Sequence, residues 1–276
     1  VVVTGWLARP LYTTILRRAE VTRVNGRIPD QSQAPDPALP VLTSVAQIRN
    51  LGNEGARQAY SVQLTAILTA IHPLKSWYYA QSEGVGIYVD ATDQDVSSLR
   101  LGQKVLLEGL TSAGGFAPII CHPKVTVLGE NALPPAMTVD PELAPSGAYI
   151  GTWVEMEGVV HPIESTDGDL NFKLMTQLGA IPVALIRNRA QLDQLVDARV
   201  RVRGAIASSF TKEGVLLGYR LMVDSLDYVS VLRPAPTSSA AIQHRAIADL
   251  LRYSPPGQSS FRVRIRGAVT LRQGND

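Results

Sequence analysis

The chain has 276 residues, 45% of them hydrophobic and 18% charged, with a formal net charge of +2. That composition excludes a disordered or fibrous chain, and the near-neutral balance lacks the basic excess of a strong nucleic-acid binder. The single cysteine, Cys121, excludes a disulfide-framed fold, and no apolar run reaches the roughly 18 to 20 residues of a membrane-spanning helix.

Residues 1–40 form a basic segment followed by a linker. Val1 to Leu7 are expected to be a short strand or a frayed end, with the tail of an apolar anchor as the other reading. Thr13 to Val24 are expected as a short helix, and Pro29 to Pro37 have the Pro-rich, small-polar make-up of a linker. The chain opens on Val1 and closes on Asp276 inside a strand motif, so it is expected to be a fragment of something longer.

One motif recurs three times: Ser61 to Leu68, Trp153 to Val160 and Arg262 to Val269. Each alternates apolar and polar residues, then meets Gly or Ala, then gives two apolar residues. Alternation marks a half-buried strand, and the small residue marks a bend that curls a sheet. A lead-in precedes each copy. Val41 to Gly52 read as a helix capped by Thr43 or Ser44 with Gly52 at C′. Pro141-Glu142-Leu143 and Ile247 to Pro255 hold the matching places.

Expected strands in the first repeat are 61–70, 76–81, 85–90, 103–110 and 123–128. In the second they are 152–163, 169–176, 180–186, 198–206 and 226–232, with a helix over Asn188 to Val196 and a hairpin at Asp167-Gly168. Lys104 to Gly109 match Arg199 to Gly204. Five strands, the first long and bent, predict an all-β chain of tandem five-stranded OB-like barrels, a different five-stranded barrel or a small sandwich being the alternatives. The expected units are 41–133, 134–236 and a truncated third repeat at 237–276, whose Phe261 to Leu271 are expected either to be poorly ordered or to pair with a borrowed sheet edge.

No nucleophile elbow, phosphate loop, dinucleotide fingerprint or zinc-protease motif is present, so no catalytic residue, cofactor or metal is expected. His72-Pro73 and His161-Pro162 are read as turns, Cys121-His122 as a buried thiol beside an exposed ring, and Asp90, Asp93 and Asp95 as a solvated turn. Arg199, Arg201 and Arg203, like Arg262, Arg264 and Arg266, form stripes that suit phosphates but more commonly face solvent. The candidate ligand-binding residues are aromatic: Trp77, Tyr79 and Tyr88 on strands two and three, Phe116 and Phe210 in the loops after strand four. Trp77 and Tyr79 share one strand face and Tyr78 takes the other, so one face is expected to be exposed.

The lead-in Leu42 to Leu51, the Gly86 to Asp90 and Val105 to Gly109 strands, and Arg199 to Gly204 resemble tandem OB-like repeats of the extracytoplasmic sensor regions of bacterial membrane-bound histidine kinases. The resemblance covers about residues 41–276. It implies a periplasmic, non-enzymatic sensor module anchored through segments outside this chain, a downstream kinase module, and a small-molecule, glycan or protein ligand. The alternative is an OB-fold binder of single-stranded nucleic acid, against which the near-neutral charge and broken arginine stripes count. An enzyme is the third reading.

Overall fold

The computed structural model describes residues 2–5, 37–92, 94–130, 132–139, 147–162, 172–176, 179–187, 192–210, 216–250 and 262–268. The expected helix at 13–24, the linker, the 141–143 lead-in and the Asp167-Gly168 turn lie outside them. Strand β1 spans Val2–Gly5. After it come α1 (Val45–Asn50) and α2 (Gly52–Ala56). Ser44 caps α1 as expected: its Oγ accepts from the Gln47 amide, and Gln47 Oε1 accepts from the Ser44 amide. Val45 and Ile48 turn into the core beneath.

The first barrel is β2 (Ser61–His72), β3 (Trp77–Ser82), β4 (Val85–Asp90), β5 (Gln103–Ser112) and β6 (Ile119–Glu130), closed in the order β2-β3-β4-β6-β5. The second follows the short β7 (Met137–Thr138). Its strands are β8 (Trp153–Pro162), β9 (Phe172–Thr176), β10 (Gly179–Leu185), β11 (Arg199–Phe210) and β12 (Leu216–Val223). They close in the same way, β8-β9-β10-β12-β11 and back to β8. The tandem OB-like architecture is therefore present, and the recurring motif explains it. In β2, Ile67 pairs both with Lys104 of β5 and with Gln81 of β3. In β8, Val159 pairs both with Arg199 of β11 and with Met175 of β9. Each first strand changes neighbour at the residue directly after its Ala66 or Gly158. At Gly158 a Cβ would lie 2.5 Å from the Met175 carbonyl oxygen, so only glycine admits that turn of the sheet.

Two expectations are corrected. The fifth strand of the second barrel is 216–223, not 226–232. In β6 one continuous strand meets β4 at its start (Val89 with Ile120) and then runs along β5. In the second barrel a 3₁₀ turn at Leu226–Tyr228, capped by Ser225, cuts that path in two. β12 takes the parallel pairing with β10, and β13 (Val229–Arg233) runs along the start of β11. The helix expected over 188–196 is a 3₁₀ turn at Leu192–Leu195, with 188–191 outside the described residues. The start of the third repeat, β14 (Val263–Arg266), pairs antiparallel with β1, in line with the expected pairing to a borrowed strand; Arg262 is held by Asp197 at 3.0 Å.

Each barrel has its own apolar centre. Leu68, Ile87, Leu107 and Ile120 are among the fully buried residues of the first, and Phe172, Leu174, Leu185 and Leu221 of the second. The Tyr78 side chain points into the first core, fully buried, and its hydroxyl finds no hydrogen-bond partner among the described residues. Burial pushes its phenol well above the ordinary range. An unpaired buried hydroxyl costs stability. Tyr78→Phe is therefore expected to leave the urea midpoint unchanged or raise stability by up to about 1 kcal/mol; a loss larger than that would reveal a partner for the hydroxyl.

Candidate functional site

The second half of β2 and all of β3 depart from alternation. Through Ala66, β2 alternates between the core and more open positions; from Leu68 to His72 every residue is buried. In β3, Trp77 (8% exposed), Tyr78 (0%) and Tyr79 (5%) are all buried. The expectation that one face of this strand is exposed is thus corrected. The second barrel covers it. Ala70, Trp77 and Tyr79 pack with Ile150, Ala184, Ala205, Ala207 and Met222 in a third apolar cluster between the barrels. Ala205 and Ala207 are two apart on β11 and so share a face, and their small side chains leave room for the large rings opposite.

Polar groups fix this junction. Arg49 on α1 donates from Nη2 to the Gly86 carbonyl at 2.8 Å and to the Ile150 carbonyl at 3.1 Å, with Nε also on Gly86 at 3.2 Å. Thr69 Oγ1 donates to the Gly151 carbonyl at 2.7 Å, and the Trp153 amide donates to Gln81 Oε1 at 2.8 Å. Between the two chains of backbone there is no room for a side chain: a Cβ on Gly86 would lie 2.1 Å from the Gly151 carbonyl carbon.

Beside the buried junction a cleft of about 260 Å³ remains open. Trp77, Tyr79 and Tyr88 form one wall. Their rings pack at centroid distances of 5.5 Å (Trp77 to Tyr79), 5.9 Å (Trp77 to Tyr88) and 5.5 Å (Tyr79 to Tyr88), tilted or edge-on. The loop after β5 supplies a second wall with Gly114, Gly115 and Phe116, and Ser208 and Arg220 of the second barrel a third. Phe116 is 37% exposed; its ring lies so close to Gly147 that a Cβ there would come within 2.3 Å of it. No carboxylate lines the cleft among the described residues. Arg49 is spent on the two carbonyls, but Arg220 Nε is buried and has no hydrogen-bond partner among the described residues. Burial pushes the Tyr79 phenol up to about 12 in spite of Arg220, Arg49 and a hydrogen bond from Ser208, and pushes Tyr88 up as well, with Asp90 adding to the effect.

Of the five aromatics expected to bind ligand, four line this one cleft. Phe210 ends β11, its backbone paired with Leu216 just past a register shift. Arg49 and Arg220 carried no sequence expectation. Arg220 sits on β12, outside the strand expected at 226–232. Arg49 lies in the recognised lead-in helix, one residue past the buried Ile48.

The other candidates resolve plainly. Arg199 and Arg201 pair with Glu157 at 3.1 and 2.7 Å, and Arg203 with Glu155 at 2.7 Å, so this stripe is a cross-strand ion-pair ladder and not an open phosphate track. The Arg201 hydrogen bond holds the Glu157 carboxyl below its usual value. Cys121 is half-buried, its thiol pushed up to about 11 by burial, and His122 is exposed at a bulge with φ +47°. Asp90 and Asp95 accept from the Thr92 and Ser97 amides, as turn residues do; Asp93 lies outside the described residues. No group of three metal-ligating side chains occurs among the described residues.

No family model and no curated protein matches the chain. Solved structures do match. One is a murine DNA-binding protein bound with double-stranded DNA, at 12% identity over 64% of this chain and 98% of that one, with a TM-score of 0.32. A second is the HINa domain of Ifi202 in complex with a 20-bp duplex (10%, 64% and 100%, 0.30). A third is a replication protein A heterotrimer bound to single-stranded DNA (10%, 70% and 59%, 0.28). All three are DNA complexes and none is a sensor module. The expected role as the sensor region of a histidine kinase, with its small-molecule, glycan or protein ligand, is therefore set aside. So is the expectation against nucleic acid as a partner. Likenesses at these scores carry no chemistry, and what the chain binds is argued from its own cleft.

Proposed function

We propose that this chain binds single-stranded nucleic acid, with the cleft beside the barrel junction receiving an unstacked base. The observation that carries the reading is the composition of that cleft: Tyr88 and Phe116 as partly open rings, the Arg220 cation in its lining, and no carboxylate among the described residues that line it. Aromatic faces accept any base by stacking, and arginine adds both a cation and hydrogen-bond donors. A single strand suits the site better than a duplex, because only an unstacked base can enter a recess of this size. The volume lies just under the roughly 300 Å³ at which drug-sized pockets begin, a size that suits one base. With a net charge of +2 and the Arg199 to Arg203 stripe neutralised by Glu155 and Glu157, phosphate contacts are few.

The test is fluorescence anisotropy with labelled oligo-dT at low salt. Binding is expected in the range of about 1–100 µM, with a shallow salt slope. Arg220→Ala and Phe116→Ala should each weaken it by about tenfold, in line with the worth of one stacking or charged contact. Absence of binding up to about 100 µM at low salt would remove the reading.

A further inference from the structure

Outside the two barrels, β1 and β14 repeat the pairing that opens each of them. We propose that β14 is a docking edge for the fourth strand of an OB unit, that β1 is such a strand, and that two copies of this chain associate by exchanging β1 across that edge.

The assignment rests on register. In the first barrel the first and fourth strands, β2 and β5, pair antiparallel with Val62 opposite Gly109, Gln63 opposite Glu108 and Leu64 opposite Leu107. In the second, β8 and β11 put Val154 opposite Gly204, Glu155 opposite Arg203 and Met156 opposite Val202. The same ladder recurs between β14 and β1, with Val263 opposite Gly5, Arg264 opposite Thr4 and Ile265 opposite Val3. Each valine is the second residue of the recurring motif, and each partner is a glycine. In the barrels that glycine marks where the fifth strand crosses the fourth. A Cβ on Gly109 would lie 2.9 Å from the Cys121 carbonyl oxygen of β6, and one on Gly204 2.4 Å from the Met222 carbonyl oxygen of β12.

The lead-in recurs as well. Leu42 lies parallel against Val62, Met137 against Val154 and His244 against Arg264. The Arg264 amide donates to the Gln243 carbonyl, and its carbonyl accepts from the Arg245 amide, both at 2.9 Å. One edge of β14 is thereby taken by the lead-in, and the other is the place of a fourth strand.

The pairs differ in how they are held. β5 is tied to β2 on one side and, through β6, β4 and β3, on the other. β1 and β14 make a separate two-stranded sheet of four residue pairs, drawn from opposite ends of the chain. A ribbon of that size is marginally stable in water and opens more readily than a closed barrel. Once open, β14 offers unpaired amides and carbonyls to a strand of matching register. The β1 strand of a second copy is identical to its own. With one donor strand and one acceptor edge in each chain, reciprocal exchange leaves neither edge of the pair empty, a low-cost route to a two-fold dimer.

Cysteine trapping tests this in a Cys121→Ser background. Because Arg264 spends its amide and carbonyl on the lead-in, Thr4 and Arg264 face each other as a non-hydrogen-bonded pair. Such Cα atoms stand about 4.5 Å apart, inside the range a disulfide spans. A Thr4→Cys chain is mixed with an Arg264→Cys chain lengthened by a tag, and the mixture is mildly oxidised at high protein concentration. A disulfide-linked dimer of mixed size is expected, about tenfold more abundant than with Val3→Cys, which is one step out of register. The double variant Thr4→Cys/Arg264→Cys, at low concentration, should link within one chain. A double variant that links internally while the mixture yields no mixed dimer overturns the exchange. Mixed dimers formed equally well by Val3→Cys overturn the register that defines the docking edge. Absence of any link overturns the whole inference.

Discussion

Gly86→Ala is expected to uncouple the two barrels. The added methyl would lie 2.1 Å from the Gly151 carbonyl carbon and 2.5 Å from both the Ile150 oxygen and the Thr152 nitrogen. All three are backbone atoms, so no rotamer change relieves the overlap. The strands must separate, and the contacts that depend on their approach go with them: the Arg49 bridge between Gly86 and Ile150, and the Thr69 bond to Gly151. Overpacking of this kind costs about 3 kcal/mol or more where the neighbours cannot move. Within each barrel the β ladders remain complete, so the loss should fall on the junction. Urea unfolding followed by tryptophan fluorescence should show a lower first midpoint and two transitions where the parent has one; Trp77 and Trp153 both report on this region. Gly84→Ala is the control. Gly84 has φ +81° in the β3–β4 turn with open space around it, so alanine there should cost only about 1–2 kcal/mol of backbone strain and leave one transition. A single transition at the parent midpoint for Gly86→Ala would sink the prediction.

The junction also marks where sequence reasoning reached its limit. Strand number, strand order and the bend in each first strand are local properties, and they were legible. Alternation in Ser61 to Leu68 and Trp153 to Val160 told which residues face inward, and the small residue told where each strand bends; that the strand also changes neighbour there came from the structure. Ser44 and Gln47 announced their helix. The fifth strand of the second barrel was missed because Ser225 interrupts it with a 3₁₀ turn, and the apolar Val229 to Leu232 beyond the turn alternate no less well than β12. The cleft was legible only in part. Aromatics at 77, 79 and 88 come together because β3 and β4 are hairpin neighbours, with Tyr79 directly opposite Tyr88. Arg220 is 132 positions beyond Tyr88, and nothing in either segment states that they meet. The alanines at 205 and 207 were the available signal: two small residues on one face of a barrel strand leave a shallow surface that a neighbour can fill.

That covering surface makes Trp77→Ala a sharp test, because a ligand platform and an inter-barrel core residue predict different losses. As a platform, Trp77 would be dispensable for folding and its removal would weaken binding alone. The ring is instead 8% exposed, edge-packed on Tyr79 at 5.5 Å and tilted against His72 at 5.2 Å, and it faces the alanine surface of the second barrel. Truncating it leaves a cavity that neither β3 nor the alanines opposite can fill, since both are held in ladders. The expected cost is about 3–5 kcal/mol, the range for deleting a buried large aromatic. Trp77→Phe should recover a large part of it, because most of the apolar volume returns. Stability and oligo-dT binding measured on the same samples separate the two roles. If Trp77→Ala keeps the parent urea midpoint and loses only affinity, the ring is a platform and the junction is looser than its hydrogen bonds indicate. If the midpoint falls as expected while Phe116→Ala and Arg220→Ala lower affinity without lowering the midpoint, then Trp77 builds the wall and the residues at the mouth of the cleft meet the ligand.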